Sequence, residues 1–240
     1  FPQPLSTPGA MDRLVTPDVD DALGHVFEAL TVTRRQLDGR VPLIGFAGAP
    51  WTLMAYMVEG GGSKSYRHAR AWLYRHPEAS KALLQRLTDV VAEYLIRQVE
   101  AGAQMLQVFD SWAGLHGPET FRTFCLPYLA EIASRVKDAH PDVPIVAFAK
   151  NVHYGLGDLA DTDYDVLSLD WTMDPKAARD RVGDRAVLQG NLDPCALYAP
   201  PDALRREVQH MLAGFGPHHH IANLGHGMLP DHDPEHARVF

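Results

Sequence analysis

Apolar and polar positions along this 240-residue chain follow two alternating rhythms. Short, nearly continuous apolar runs at 43–47, 105–111, 144–150, 165–171, 186–193 and 220–227 read as six strands. Between them, apolar residues return every three to four positions, as amphipathic helices require. Val19, Leu23, Val26, Phe27 and Leu30 predict a helix opening at Thr16-Pro17-Asp18. Thr16 is the expected cap, Pro17 suits the first helical position, and Asp18, Asp20 and Asp21 complement the positive helix start. Gly39 is the expected stop. Leu83, Leu84, Leu87, Val91, Tyr94 and Leu95 predict a helix over 77–101. Residues 118–139 have a helical pattern with a bend expected near Pro127, which cannot donate the ladder bond. A further helix is expected over 202–213, and the first 16 residues read as irregular connector.

Strands alternating with helices imply parallel pairing and right-handed crossovers. A doubly wound open sheet and an eight-stranded barrel both fit. Every strand ends in polar or loop-forming residues, among them Asp110-Ser111, Lys150-Asn151, Asp170-Trp171 and His226-Gly227. In a barrel these ends converge on one mouth, whereas an open sheet uses one switch point. The expectation is therefore an α/β fold, a (β/α)8 TIM barrel forming a single domain over 1–240, with about six of its eight strand-helix units in this chain. The start at Phe1 and the helical ending "PEHARVF" both read as cut ends, which puts the two other units upstream of Phe1.

Composition narrows the function classes. Thirty acidic residues against 22 Lys and Arg give a formal net charge of −8, which argues against general nucleic-acid binding. No apolar run is long enough to span a membrane, and "FPQPL" lacks the marks of a signal peptide. Two cysteines, Cys125 and Cys195, are too few for a disulfide framework, so reduced, partly buried thiols in a cytoplasmic protein are expected. "EGGGSKSY" resembles a phosphate loop only loosely, because no strand leads into it.

The candidate chemistry gathers at the strand ends. In "IANLGHGMLP", His226 stands between two glycines, which could leave room for a large flat ligand near the backbone. It reads as a base, a metal ligand, an anion clamp or a loop histidine. The neighbouring "PHHHI" cannot share an ion with it, because His218 and His219 precede the strand that His226 follows, roughly 20 Å away. Ser111 lacks a nucleophile elbow and reads as a hydrogen-bond donor to a ligand or as a turn residue. Tyr56 sits at helical spacing from Leu53, as a core tyrosine would. Lys150 reads as a snorkelling surface lysine or as an aid to an anionic ligand at the mouth. Cys195 in "NLDPCALY" has no adjacent histidine and reads as packing.

The segments "GFAGAPWTLMAYMVEGGGS", "LQVFDSWAG", "VLSLDWTMDP", "LQGNLDPCALYAP" and "IANLGHGMLPDHDPEHA" occur in the order found in the uroporphyrinogen decarboxylase family, which the chain resembles throughout, from "FPQPL" onward. The resemblance implies a (β/α)8 barrel, a homodimer at full length, no cofactor and no metal. It also implies a tetrapyrrole substrate, with removal of carbon dioxide from the four acetates of uroporphyrinogen to give coproporphyrinogen in heme biosynthesis. By matching motif, Tyr56 corresponds to a tyrosine near the reacting acetate and Ser111 to a serine that binds a carboxylate. His226 corresponds to a histidine that bonds a carboxylate, and Phe46 to an aromatic wall against the macrocycle. The family's arginine-bearing "RQAGRY"-type segment and its strand-end aspartate have no counterpart in these 240 residues. The resemblance therefore implies that this chain alone does not turn over. Two other readings compete. One is a zinc-dependent corrinoid or thiol methyltransferase of the same barrel superfamily, for which His153 in "AKNVHYG" lacks the His-x-Cys spacing. The other is a non-catalytic tetrapyrrole-binding fragment.

Overall fold

The structure is a computed structural model that describes residues 3–240, so the first two residues of "FPQPL" lie outside the described residues. After a 3-10 turn at Pro8–Arg13 come α1 (Val19–Leu37), β1 (Ile44–Gly48), α2 (Pro50–Glu59), α3 (Arg67–Arg75), α4 (Pro77–Glu100) and β2 (Met105–Asp110). They are followed by α5 (Pro118–Phe124), α6 (Leu126–Ala139), β3 (Ile145–Ala149), α7 (Leu156–Ala160), β4 (Val166–Ser168) and α8 (Pro175–Val182). The chain ends with β5 (Val187–Leu192), α9 (Pro201–Phe215), β6 (His220–Leu224) and α10 (Pro234–Val239).

The strands form one parallel sheet in the order β1-β2-β3-β4-β5-β6. Spatial order equals sequence order, so the winding never reverses and there is no switch point. That is the arc of a (β/α)8 barrel, not a doubly wound sheet. Among the described residues β1 and β6 each pair on one side only.

The strand pleat divides the side chains between two faces. Ala47, Leu106, Val108, Ile145, Ala147, Leu167 and Leu188 join the main core, together with helix residues such as Leu84, Leu95, Ile132, Val136 and Leu204. The alternate residues Phe46, Gln107, Phe109, Phe148 and Ser168 point to the opposite, inner face. Gln98 of α4 pins the first strand by accepting from the Phe46 amide (2.9 Å) and donating to the Phe46 carbonyl (2.9 Å).

Three local expectations change. The cap of α1 is Asp18, whose carboxylate accepts from the Asp21 amide; Thr16 instead accepts from Arg86, so Pro17 precedes the helix. The bend near Pro127 is a full break at Cys125, and Pro127 falls in the first turn of α6, where its missing N–H costs nothing. Cys125 is buried as expected, but Cys195 is exposed, because the 3-10 turn Pro194–Tyr198 carries it outward. No helix among the described residues is long and apolar enough to cross a membrane.

Candidate active site

The carboxyl ends of β2, β3, β4 and β6 open on a cleft of about 280 Å³. Gln107, Phe109, Ser111, Phe148, Ser168, Asn223, Leu224, Gly225, His226 and Gly227 line it. Ser111 and His226 therefore face one space, although they lie four strands apart.

The floor of the cleft is polar. Gln189 Nε2 donates to Ser168 Oγ (3.1 Å) and to Gln107 Oε1 (3.4 Å), and all three side chains are buried. Barrel interiors are ordinarily filled by branched apolar residues, so a buried amide and hydroxyl floor singles this cleft out as the candidate site. The sequence carries a signal for it: Gln107, Ser168 and Gln189 are each a polar residue directly after a leucine, inside an apolar run.

One wall is a ribbon of edge-to-face aromatic contacts. Phe46 meets Phe109 at 5.9 Å, Phe109 meets Phe148 at 5.9 Å, and Phe148 meets the His226 ring at 6.1 Å. Phe46 is 61% exposed, an unusual state for a phenylalanine on a barrel's inner face. It joins the site through Phe109. His226 also meets Trp171 at 6.1 Å, and Lys150 Nζ stands 5.0 Å over the same indole. Burial, and next to it the Lys150 charge, holds the His226 imidazole below its ordinary pKa, with Asp170 opposing. The ring is thus neutral at pH 7 and offers one donor and one acceptor.

Tyr56 takes a different place. It is half-buried on α2, with its ring against Tyr66 (5.7 Å) and Trp112 (6.4 Å), and its hydroxyl accepts from Trp112 Nε1 (2.9 Å). It stands behind the residue that follows Ser111 and does not line the Ser111–His226 cleft. Helix α2 holds the whole 110–112 segment. Trp51 Nε1 donates to the Trp112 carbonyl (3.1 Å), and the Thr52 hydroxyl donates to Asp110 Oδ1 (2.7 Å) and accepts from the Trp112 amide (3.4 Å). Asp110 is fully buried, its Oδ2 has no hydrogen-bond partner, and burial pushes its carboxyl up to about 7.

The two glycines around His226 differ in purpose. A Cβ on Gly225 would lie 2.4 Å from the Trp171 amide nitrogen, whereas one on Gly227 would meet nothing within 4 Å. Gly225 thus serves backbone packing against residues 170–171, and only Gly227 leaves open space. Asp170 braces the neighbouring loops by accepting from the Asn151 and Thr172 amides.

The remaining candidates lie elsewhere. The backbone carbonyls of His218 and His219 accept from Arg179 at the far end of β6. In "EGGGSKSY" the Glu59 carboxylate accepts from the His68 and Ala69 amides, so a side chain already occupies the α3 start where a phosphate would sit. His153 pairs with the Thr172 hydroxyl (2.8 Å). Among the described residues no three His, Cys, Asp or Glu side chains are grouped to hold a metal ion.

Comparison of the sequence with known proteins points to one family. A family model described as uroporphyrinogen decarboxylase matches residues 1–240. The uroporphyrinogen decarboxylase of Salinibacter ruber is 85% identical over the whole chain, which spans 68% of that protein. The one from Homo sapiens is 53% identical, and the whole chain covers 67% of it. Among solved structures, a methyltransferase from Methanosarcina mazei superposes with a TM-score of 0.82 at 25% identity, covering 95% of this chain and 66% of that one. A B12-independent methionine synthase from Shewanella superposes at 0.63 and 12% identity over 89% of this chain and 62% of that one, a likeness of fold alone. A partial barrel with a polar, aromatic-walled mouth and 85% identity to a curated relative make this chain a member of the uroporphyrinogen decarboxylase family.

Proposed function

We propose that the Ser111–His226 cleft holds the tetrapyrrole of a cofactor-free decarboxylation. The carrying observation is that Ser111 and His226 line one cleft, bounded by the Phe46–Phe109–Phe148 ribbon. The aromatic ribbon suits the macrocycle, and the two polar groups suit its carboxylates. Each acetate loses carbon dioxide and gains a proton to become a methyl group. Protonation of a pyrrole carbon makes a cationic ring that takes the electron pair left by the departing carboxylate. The substrate is thus its own electron sink, a task other enzymes give to a cofactor. The Ser111 hydroxyl and the neutral His226 N–H donate to carboxylates, and the floor of Gln107 and Ser168 orients the ring. Tyr56, outside the cleft, accepts from Trp112 Nε1 and so helps to hold the 110–112 segment that carries Ser111.

The exposed, free Cys195 suits a reducing compartment such as the cytoplasm. A zinc-dependent methyltransferase is the second reading: the Methanosarcina mazei neighbour is named a methyltransferase, though no three His, Cys, Asp or Glu side chains are grouped to hold a metal among the described residues. Stoichiometric zinc in purified protein would support it.

The test is titration of the chain with uroporphyrin, followed by fluorescence quenching. Ser111→Ala and His226→Ala are each expected to weaken binding about tenfold, the usual worth of one charge-assisted hydrogen bond. Wild-type affinity in both variants would remove the cleft from the reading. A carbon dioxide release assay on the 240-residue chain is expected to show no turnover, because the family's arginines and strand-end aspartate have no counterpart in it. Normal turnover would show that those groups are dispensable.

A further inference from the structure

The mouth carries one cation for which hydrogen bonds and ion pairs give no account. Lys150 follows β3 by one residue. Phe148 lines the cleft, and Lys150 stands in the turn just beyond it, with its ammonium over Trp171 rather than in the cleft lining itself. Its backbone is fixed from two directions. The Lys150 amide donates to the Asp110 carbonyl (3.2 Å), and Gly114 packs so closely that a Cβ there would lie 2.6 Å from the Lys150 carbonyl oxygen. The side chain is held as well, with Nζ 5.0 Å over the Trp171 ring, and that ring meets His226. A snorkelling lysine would point its ammonium into open solvent; this one is laid along an indole beside the candidate anion clamp.

No carboxylate among the described residues forms an ion pair with Lys150. Asp170 is the acid nearest in influence to His226, but its oxygens already accept from the Asn151 amide and from the Thr172 amide and hydroxyl, and His153 stands 4.0 Å away. A fixed, uncompensated cation on a chain of formal net charge −8 makes a local anion funnel.

We propose that Lys150 is a further substrate-binding residue, forming with His226 a carboxylate subsite on the Trp171 side of the mouth. The inference deepens the tetrapyrrole reading and rests on it. Lys150 supplies the charge, His226 supplies a directed hydrogen bond, and Trp171 keeps the two in register. Such a site favours ligands with more carboxylates, because each added carboxylate raises the chance that one reaches the pair.

The test compares uroporphyrin I, which has eight carboxylates, with coproporphyrin I, which has four, on the 240-residue chain. Lys150→Met is expected to weaken uroporphyrin binding about tenfold and coproporphyrin binding less, while Lys150→Arg stays within about twofold of wild type. Lys176→Met, at an exposed lysine paired with Asp180 on α8, serves as the control for bulk charge and is expected to change nothing. The ring proton signals of His226, followed by NMR against pH in ligand-free protein, should titrate at higher pH in Lys150→Met, which checks that the two groups lie within electrostatic reach of each other. Uroporphyrin affinity within twofold of wild type in Lys150→Met overturns the proposal, whatever the His226 titration does. Should the wild-type chain bind neither porphyrin, the tetrapyrrole reading fails. The subsite is then judged by acetate alone: a His226 shift that needs Lys150 sustains it, and no shift ends it.

Discussion

Gly225→Ala is expected to weaken porphyrin binding about tenfold, as much as loss of the His226 ring itself, while the chain still folds. The added methyl would lie 2.4 Å from the Trp171 nitrogen and 2.9 Å from the Asp170 carbonyl carbon. Both are backbone atoms, so no side chain can swing aside, and one of the two segments must move by about an ångström. Either movement shifts His226 away from Trp171 and loosens the bracing by Asp170. A movement of that size takes the His226 ring out of hydrogen-bond reach of its carboxylate, which costs about tenfold in affinity. Overpacking of this kind costs about 2 kcal/mol of stability, which for a chain of this length lowers Tm by roughly 6 °C. Gly227→Ala is the paired control. Nothing lies within 4 Å of its added Cβ, so its Tm should match wild type. Full porphyrin affinity in Gly225→Ala would mean that the contact with residues 170–171 does not set the position of His226.

Asp110→Asn should stabilise the protein at pH 8 and fail to do so at pH 5. Asp110 titrates at about 7 in the folded chain, against 3.8 for an ordinary aspartate, because burial outweighs the one hydrogen bond from Thr52. The folded state therefore holds the proton more tightly than the unfolded state. Its contribution is greatest below pH 4 and is lost as pH rises to about 7, a span worth about 4 kcal/mol at most. Asparagine keeps an oxygen for Thr52 but places an amide where Asp110 Oδ2 has no partner, which costs roughly 2 kcal/mol. The net gain at pH 8 is about 2 kcal/mol, or roughly 6 °C in Tm.

A second group runs the other way. Burial, and then Arg70, lowers His116 to about 4, so its neutral form is favoured and stability falls as pH drops from 6.5 to 4. The two slopes oppose each other between pH 4 and 6.5, and wild-type stability should be nearly flat there. In Asp110→Asn the His116 slope is exposed, and stability should climb with pH across that window. Denaturant melts at pH 4.5, 6 and 8 read all three points. A variant less stable than wild type at pH 8 would show that Asp110 is not held protonated by burial.

Much of the architecture is legible in the periodicity. The six apolar runs become six strands in the same order, and the Pro127 signal marks a real interruption. Helices α3 and α8 are harder to read because each buries so little: Ala69, Trp72 and Leu73 in one, Ala178 and Val182 in the other. Their placement is set by tertiary contact rather than by a strong apolar stripe. Within the site, Ser111 and His226 are legible because parallel strands must end at one mouth. The floor of Gln107, Ser168 and Gln189 is legible as polar breaks in apolar runs, though attention to strand ends passes over it. Asp110 is not legible, since an aspartate before a loop looks like a solvated turn residue. Only the packing of α2 and α6 over the sheet buries it, with Cys125 and Tyr164 as neighbours whose own pKa values burial and then the Asp110 charge push up. Tyr56 teaches the same lesson, because helical spacing gives its face but not its bond to Trp112.

The most direct measurement is a crystal structure of the chain with uroporphyrin bound. The account predicts the macrocycle lying against Phe46, Phe109 and Phe148, with carboxylates within hydrogen-bond reach of Ser111 Oγ and of the His226 ring. A porphyrin seated outside the sheet, or one that leaves Ser111 and His226 both untouched, would contradict it.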